Sequence, residues 1–136
     1  MLVIRREALQ IQSETDIVKV RQVVRNWSVE FRFGLVDQTK LITAASEIAR
    51  NTLRYGKGGT LQMEALREEL KIGLRLVFED HGPGISDINL AMTDGYTSGG
   101  GLGMGLPGAK RLTNEFEISS KPGEGTRVAI TKWKGY

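Results

Sequence analysis

Gly95-Tyr96-Thr97-Ser98-Gly99-Gly100-Gly101-Leu102-Gly103-Met104-Gly105-Leu106-Pro107-Gly108 holds seven of the chain's seventeen glycines. Its last six residues spell G-x-G-x-x-G, which in a βαβ unit marks a dinucleotide site on a doubly wound parallel sheet. That reading needs a strand directly before the first glycine, and here a loop precedes it, with no strand–helix alternation around it. A protein-kinase glycine loop fails as well, since the chain has no His-Arg-Asp loop and no Asp-Phe-Gly. Gly56-Lys57-Gly58 is not part of a P-loop, for no G-x-x-x-x-G-K-[ST] occurs. What remains is a run that cannot stabilise a helix or strand, because each glycine loses the most backbone freedom on ordering. It offers close backbone approach and unhindered N–H groups, which suit an anion such as a polyphosphate. Pro107, then Ala109, Leu112 and Phe116, read as the start and apolar stripe of a helix from Pro107 to about Asn114. Two readings stay open from this stretch: a nucleotide lid feeding a helix, or a flexible surface loop without a ligand.

Before the glycine run, Ile72, Leu74, Leu76 and Phe78 alternate as a strand that runs into Glu79-Asp80-His81-Gly82-Pro83-Gly84-Ile85. An aspartate at a strand's end, with two glycines behind it, leaves a carboxylate beside open backbone, where a ligand's amine can be held. His81 reads as incidental to that turn. Leu61, Met63 and Ala65 form the preceding strand, and Arg67-Glu68-Glu69 turns the chain between the two. Further back, Asp37 is expected to cap a helix running to about Tyr55, with Leu41, Ala45, Ile48, Ala49 and Thr52 on its buried side. Glu47 and Asn51 lie one turn apart on the other side, with Arg54 close by. An acid and an amide so stacked could hold a proton acceptor beside a metal ion, or could equally be a wet helix surface.

Nearer the start, Ala8 to Gln12 reads as a short strand. Ser13 to Asp16 offers a cap and early negative charge for a helix whose stripe is Ile17, Val20, Val24, Trp27 and Phe31. Gly34 is expected to end that helix as a C-terminal glycine. After the glycine run and its helix, a strand near Phe116 to Ser119, the turn Lys121-Pro122-Gly123-Glu124-Gly125 and a strand from Thr126 to Trp133 make a closing hairpin. The order is strand, helix, helix, hairpin, glycine run, helix, hairpin. The helices are too few and too clustered for a doubly wound sheet. The expected fold class is α+β, a two-layer sandwich with helices on one face of a mixed, mostly antiparallel sheet, in one domain spanning 1–136.

Composition narrows the function classes. With no cysteine there are no disulfides and no thiolate metal sites, which fits a cytoplasmic protein. One histidine leaves little room for a zinc site or a Ser-His-Asp triad. No apolar run approaches a membrane span, and Arg5, Arg6 and Glu7 interrupt any signal-peptide layout. The net charge of +3 suits an acidic ligand such as ATP, with no basic run dense enough to argue nucleic acid.

Four separated pieces come in a telling order: Glu47-x-x-x-Asn51, Asp80-x-Gly82-x-Gly84, the Gly99 to Gly105 run, and Gly123-x-Gly125-Thr126. This set resembles the GHKL ATPase superfamily of gyrase, Hsp90 and histidine kinases, whose Bergerat ATP-binding fold has the architecture expected above. Within it the chain is most similar to the small anti-sigma-type serine/threonine kinases of the stressosome and related partner switches. Thr15-Asp16-Ile17-Val18, Ser46-Glu47-Ile48-Ala49-Arg50-Asn51, Asp80-His81-Gly82-Pro83-Gly84-Ile85 and Gly100 to Gly108 carry that likeness, which extends to Thr131-Lys132-Trp133. Tyr96 and His81 depart from the family's usual phenylalanine and glutamine.

The resemblance implies roles. Asp80 would accept a hydrogen bond from the adenine amine, with Gly82, Gly84, Ile85 and Thr126 around the base. Asn51 would ligate Mg²⁺, and Gly99, Gly100, Gly101, Leu102, Gly103, Met104, Gly105 and Leu106 would hold the phosphates. Glu47 would take the proton from a serine hydroxyl as the γ-phosphoryl group moves. Arg54 and Lys110 are weaker candidates for phosphate or partner contact. No phosphoacceptor histidine domain is present, so the acceptor should be a hydroxyl on another protein. The family points to STAS-domain antagonist or scaffold proteins as substrates, and to a phosphatase activated by binding. The alternative is an ATP-gated binding module for a sigma factor or phosphatase, with little or no transfer. A homodimer stays open: Val18 and Val23 either form an exposed apolar face for one or widen the core stripe.

Overall fold

The computed structural model describes residues 1–93 and 105–135. The elements run β1 (Leu2–Ile11), α1 (Glu14–Glu30), α2 (Leu35–Arg54), β2 (Gly59–Glu68), β3 (Lys71–Asp80), α3 (Ile88–Ala91), α4 (Gly105–Arg111), β4 (Glu115–Ser120) and β5 (Thr126–Trp133). The five strands form one sheet in the order β1-β2-β3-β5-β4, antiparallel at every junction.

Register shows how the core is laid down. Leu9, Leu61, Phe78, Val128 and Ile118 stand side by side across all five strands. Met63, Leu76, Ile130 and Phe116 form the next row, two residues along, where side chains return to the same face. Helices cover this face: Ile17, Val20, Val24 and Trp27 of α1 and Leu41, Ala45, Ile48 and Ala49 of α2 are all buried in the same cluster. Thr52 is buried too, its hydroxyl returned to Ile48 O at 2.9 Å. The expected two-layer α+β sandwich is the fold observed. Val23 packs against the core, whereas Val18 is exposed.

Four boundaries differ from the sequence expectation. β1 starts at Leu2 rather than near Ala8. Its charges are neutralised by other elements: Arg6 Nε donates to Glu64 at 3.2 Å, and Arg5 bonds Glu30 and stacks 5.3 Å from the Trp27 ring centroid. Gly34 does not terminate α1. Phe33 N donates to Ser28 O at 2.8 Å and Arg32 N to Val29 O at 3.0 Å, a Schellman closure with Arg32 in the left-handed position at φ 62°. Gly34 instead serves as N-cap of α2, so Asp37 lies in the first turn and pairs through Oδ1 with buried Lys132 Nζ of β5 at 3.5 Å. α4 begins at Gly105, two residues before Pro107, and Thr113 Oγ1 takes up Ala109 O at 3.1 Å near its end. The short α3, capped by Asp87 Oδ1 accepting from Leu90 N at 3.0 Å, went unforeseen. The Ser13 cap on α1 holds as expected: Ser13 Oγ accepts from Asp16 N at 3.3 Å, and Asp16 reaches back to Gln12 N at 2.8 Å.

An arginine held at φ 62° bears a steric cost that glycine lacks. Arg32→Gly is therefore expected to stabilise the fold by about 1 kcal/mol, read as a raised midpoint in urea unfolding. A lowered midpoint would contradict the Schellman assignment.

Candidate functional site

Asp80 is the second residue after Phe78 in β3, so its side chain returns to the helix-covered face at the sheet's end. There it meets the turn after α2. Tyr55 N and Gly56 N both donate to Asn51 O, at 2.9 and 3.2 Å, and Gly58 N donates to Thr52 O at 2.9 Å. This closure brings Gly56 so near β3 that a Cβ on it would overlap the Asp80 carboxylate. On the other side, a Cβ on Gly125 would overlap Asp80 O, and Gly125 sits at φ 82°. Three loops thus converge on one carboxylate.

The two carboxylate oxygens are not equivalent. Asp80 Oδ1 accepts from Gly82 N at 2.9 Å and from Thr126 N at 3.2 Å. Both bonds fix the plane of the group and leave Oδ2, beside Gly56, as an oriented acceptor for a donor arriving from outside. Around it, Ser120 Oγ accepts from Ile85 N at 2.7 Å and donates to Gly125 O at 2.9 Å. A hydroxyl has a single proton, so the 2.8 Å contact between Ser120 Oγ and Thr126 Oγ1 must carry the threonine's proton. Thr126 Oγ1 is left with acceptor capacity close to Asp80. Gly84, at φ 77°, lies against Lys121 O too closely for any Cβ, and Gly123 N donates to Pro83 O at 2.7 Å. The Asp80–Ile85 loop and the β4–β5 turn are therefore one unit. An open cavity of about 260 Å³ runs beside them, with Glu79, Asp80, His81, Lys121 and Thr126 in its wall.

Glu47, Arg50 and Asn51 share the half-buried side of α2 leading toward that turn. Glu47 Oε1 accepts from Arg50 Nη1 at 2.9 Å. The Asn51 carboxamide makes no hydrogen bond among the described residues, so its oxygen is available as a hard donor. Arg54, expected near this pair, reaches instead to Glu14 at the start of α1, at 3.6 Å. α4 packs on α2, with Leu106 buried and Gly105 at φ 45° at its first position. Gly99, Gly100, Gly101, Leu102, Gly103 and Met104 lie outside the described residues, so of the expected phosphate-holding run only Gly105 and Leu106 are located.

Of the expected residues, Asp80, Gly82, Gly84, Ile85 and Thr126 come together in one hydrogen-bonded unit, and Glu47 and Asn51 share a helix ending beside it. Sequence reasoning missed Gly56 and Ser120. Gly56 looked like any turn glycine, and nothing local marks Ser120 as the hydroxyl joining Ile85, Gly125 and Thr126. Gly56→Ala is expected to push Asp80 Oδ2 out of place and to lower stability by about 1–3 kcal/mol. Urea unfolding of that variant reads the effect, and a parental midpoint would show that the close approach of Gly56 to Asp80 is relieved without cost.

Residues 36–134 match a family model for histidine kinase-, DNA gyrase B- and HSP90-like ATPases. Serine/threonine-protein kinase RsbT of Bacillus subtilis (strain 168) is 47% identical over 125 residues, spanning 92% of this chain and 94% of that one. An anti-sigma F factor of Thermoanaerobacter sp. (strain X514) is 31% identical over 121 residues, or 85% of this chain and 83% of its own. Among solved structures, the RsbU and RsbW domains of a Mycobacterium tuberculosis protein superpose with TM-score 0.64 at 20% identity, covering 96% of this chain and 33% of that one. The mycobacterial sensor histidine kinase MprB gives TM-score 0.57 at 16% identity, covering 96% and 98%. At such identities these two structures speak to the fold alone. Among the described residues no helix is long and apolar enough to cross a membrane.

Proposed function

This chain belongs to the histidine kinase-, DNA gyrase B- and HSP90-like ATPases and is a serine/threonine-protein kinase among them, and from that premise we propose a cytoplasmic partner-switching kinase that phosphorylates a STAS-domain protein. Once released from that substrate it would activate a phosphatase by binding. The observation that carries the site assignment is the asymmetry at Asp80: one oxygen is fixed by two backbone N–H groups, and the other has no hydrogen-bond partner among the described residues. A free, oriented carboxylate oxygen suits the exocyclic amine of adenine and rejects the carbonyl that guanine places there. Thr126 Oγ1 adds an acceptor beside it.

Asn51 would be the protein's ligand to Mg²⁺. No group of three acidic or histidine side chains that could hold a metal occurs among the described residues. A single carboxamide oxygen fits this ion, which prefers few protein ligands and takes the rest from phosphates and water. When bound it neutralises phosphate charge. Glu47, one turn before Asn51, is the proton acceptor. The serine oxygen attacks the γ-phosphorus, the bond from that phosphorus to the bridging oxygen breaks, and ADP leaves. The hydroxyl proton passes to the Glu47 carboxylate. Transfer of this kind depends mostly on positioning and charge neutralisation, so a small domain can supply it. The phosphates would rest on the run from Gly99 to Leu106.

The likeness to anti-sigma F factors favours a second reading, an ATP-gated binding module with slow or no transfer. A transfer assay separates the two. γ-Labelled ATP and Mg²⁺ are incubated with this protein and a STAS-domain protein encoded beside it. Label on a serine or threonine of that acceptor is the expected result. Tight ATP binding with no label on any candidate acceptor would favour the binding module.

A further inference from the structure

We propose that Arg50 is a positioning residue for the Glu47 carboxylate, a proposal that rests on reading Glu47 as the proton acceptor. A glutamate on a partly exposed helix face has several rotamers within reach. A base must be held within about 0.5 Å of its productive place. Arg50 Nη1 donates to Glu47 Oε1 at 2.9 Å across one turn of α2. No other side chain bonds Glu47 among the described residues. The bond is charge-assisted and leaves Oε2 free to receive a hydroxyl proton.

The other guanidinium on this face does not compete. Arg54 is drawn to Glu14 of α1 at 3.6 Å, which turns it away from the Glu47 end of the helix. Both members of the Arg50–Glu47 pair are shielded, with side chains 35% and 23% exposed. As a source of stability an i,i+3 pair of this kind is minor. Its consequence is orientational: the two residues are three positions apart, so the backbone of α2 holds the donor at a fixed place relative to both Glu47 and Asn51. The sequence carries this spacing, Glu47-Ile48-Ala49-Arg50-Asn51, but not which carboxylate the arginine chooses.

The test uses the transfer assay described above with four variants. Arg50→Ala is expected to lower kcat about tenfold to thirtyfold, within the range for a displaced catalytic group, while the KM for the acceptor and the ATP dissociation constant stay at parental values. Arg50→Lys keeps the charge and one donor and should recover most of the lost turnover. In a Glu47→Gln background, Arg50→Ala should cause no further loss, because the group it positions no longer accepts a proton. Alanine at a helix interior keeps the fold, and thermal unfolding of each variant checks this. A raised acceptor KM at unchanged kcat would make Arg50 a docking residue and overturn the proposal. Weakened ATP binding would make it a phosphate contact and overturn it equally. An additional tenfold loss in the Glu47→Gln background would show that Arg50 acts independently of Glu47. Parental turnover of Glu47→Gln alone would remove the premise and the proposal with it, a result separate from failure of Arg50→Ala in an otherwise responsive enzyme.

Discussion

Replacing Glu47 with alanine is expected to lower the turnover number for phosphoryl transfer by about a thousandfold, the middle of the range for loss of a general base. ATP affinity should stay within about threefold of the parental value, since the base touches the incoming hydroxyl rather than the nucleotide. The structure supports this separation. Glu47 lies one turn nearer the start of α2 than Asn51, and the Asp80 unit lies past the other end of that helix. Glu47 is half-buried and its carboxylate bonds only Arg50 among the described residues, so truncating it strands no fully buried partner, since about a third of the Arg50 side chain meets solvent. Quench-flow transfer and equilibrium ATP titration on one preparation measure both quantities. Parental turnover in the alanine variant would remove Glu47 from the mechanism.

Asp80→Asn should act at the opposite step. The isosteric amide must still serve Gly82 N and Thr126 N, which only its oxygen can do. Its nitrogen then takes the place of Oδ2 and presents a donor to the donor amine of adenine. Losing one charge-assisted hydrogen bond and gaining a donor–donor contact amounts to about 3 kcal/mol, or roughly a hundredfold in affinity. Because the two backbone bonds survive, the unfolding midpoint without nucleotide should move little. Unchanged affinity for ATP would sink the adenine assignment. A collapse of stability without nucleotide would mean instead that the negative charge holds the three loops together.

Much of this molecule is legible in its sequence because the relevant physics is local. The stripes of α1 and α2 bury Ile17, Val20, Val24 and Trp27, and Leu41, Ala45, Ile48 and Ala49, as their spacing demands. The closing hairpin follows from alternation on either side of Lys121 to Gly125. Boundaries were less legible where a remote partner overrides a local signal. The strand expected from Ala8 reaches back through Arg5, Arg6 and Glu7 because Glu30, Glu64 and the indole of Trp27 engage these charges. Gly34 looks like a helix stop, yet Arg32 accepts the left-handed turn because buried Phe33 closes the Schellman motif beneath it.

The sequence by itself determined the α+β class and the apolar stripes of α1 and α2, which depend on periodicity and residue type that a linear text preserves. Glu47, Asn51, Asp80 and Thr126 stood out only through the family resemblance of the motifs that contain them. Only the tertiary structure decided that Asp80 offers one oxygen and not two, since the donors to the other come from Gly82 and from Thr126, 46 residues away. It likewise decided that Gly56 must lack a side chain, that Ser120 ties three segments together, and that Arg50 rather than Arg54 attends Glu47. Each of these is a choice among chemically equivalent partners. Such choices are made by which atoms the sheet register and helix packing bring within about 3 Å, a distance that no spacing along the chain encodes.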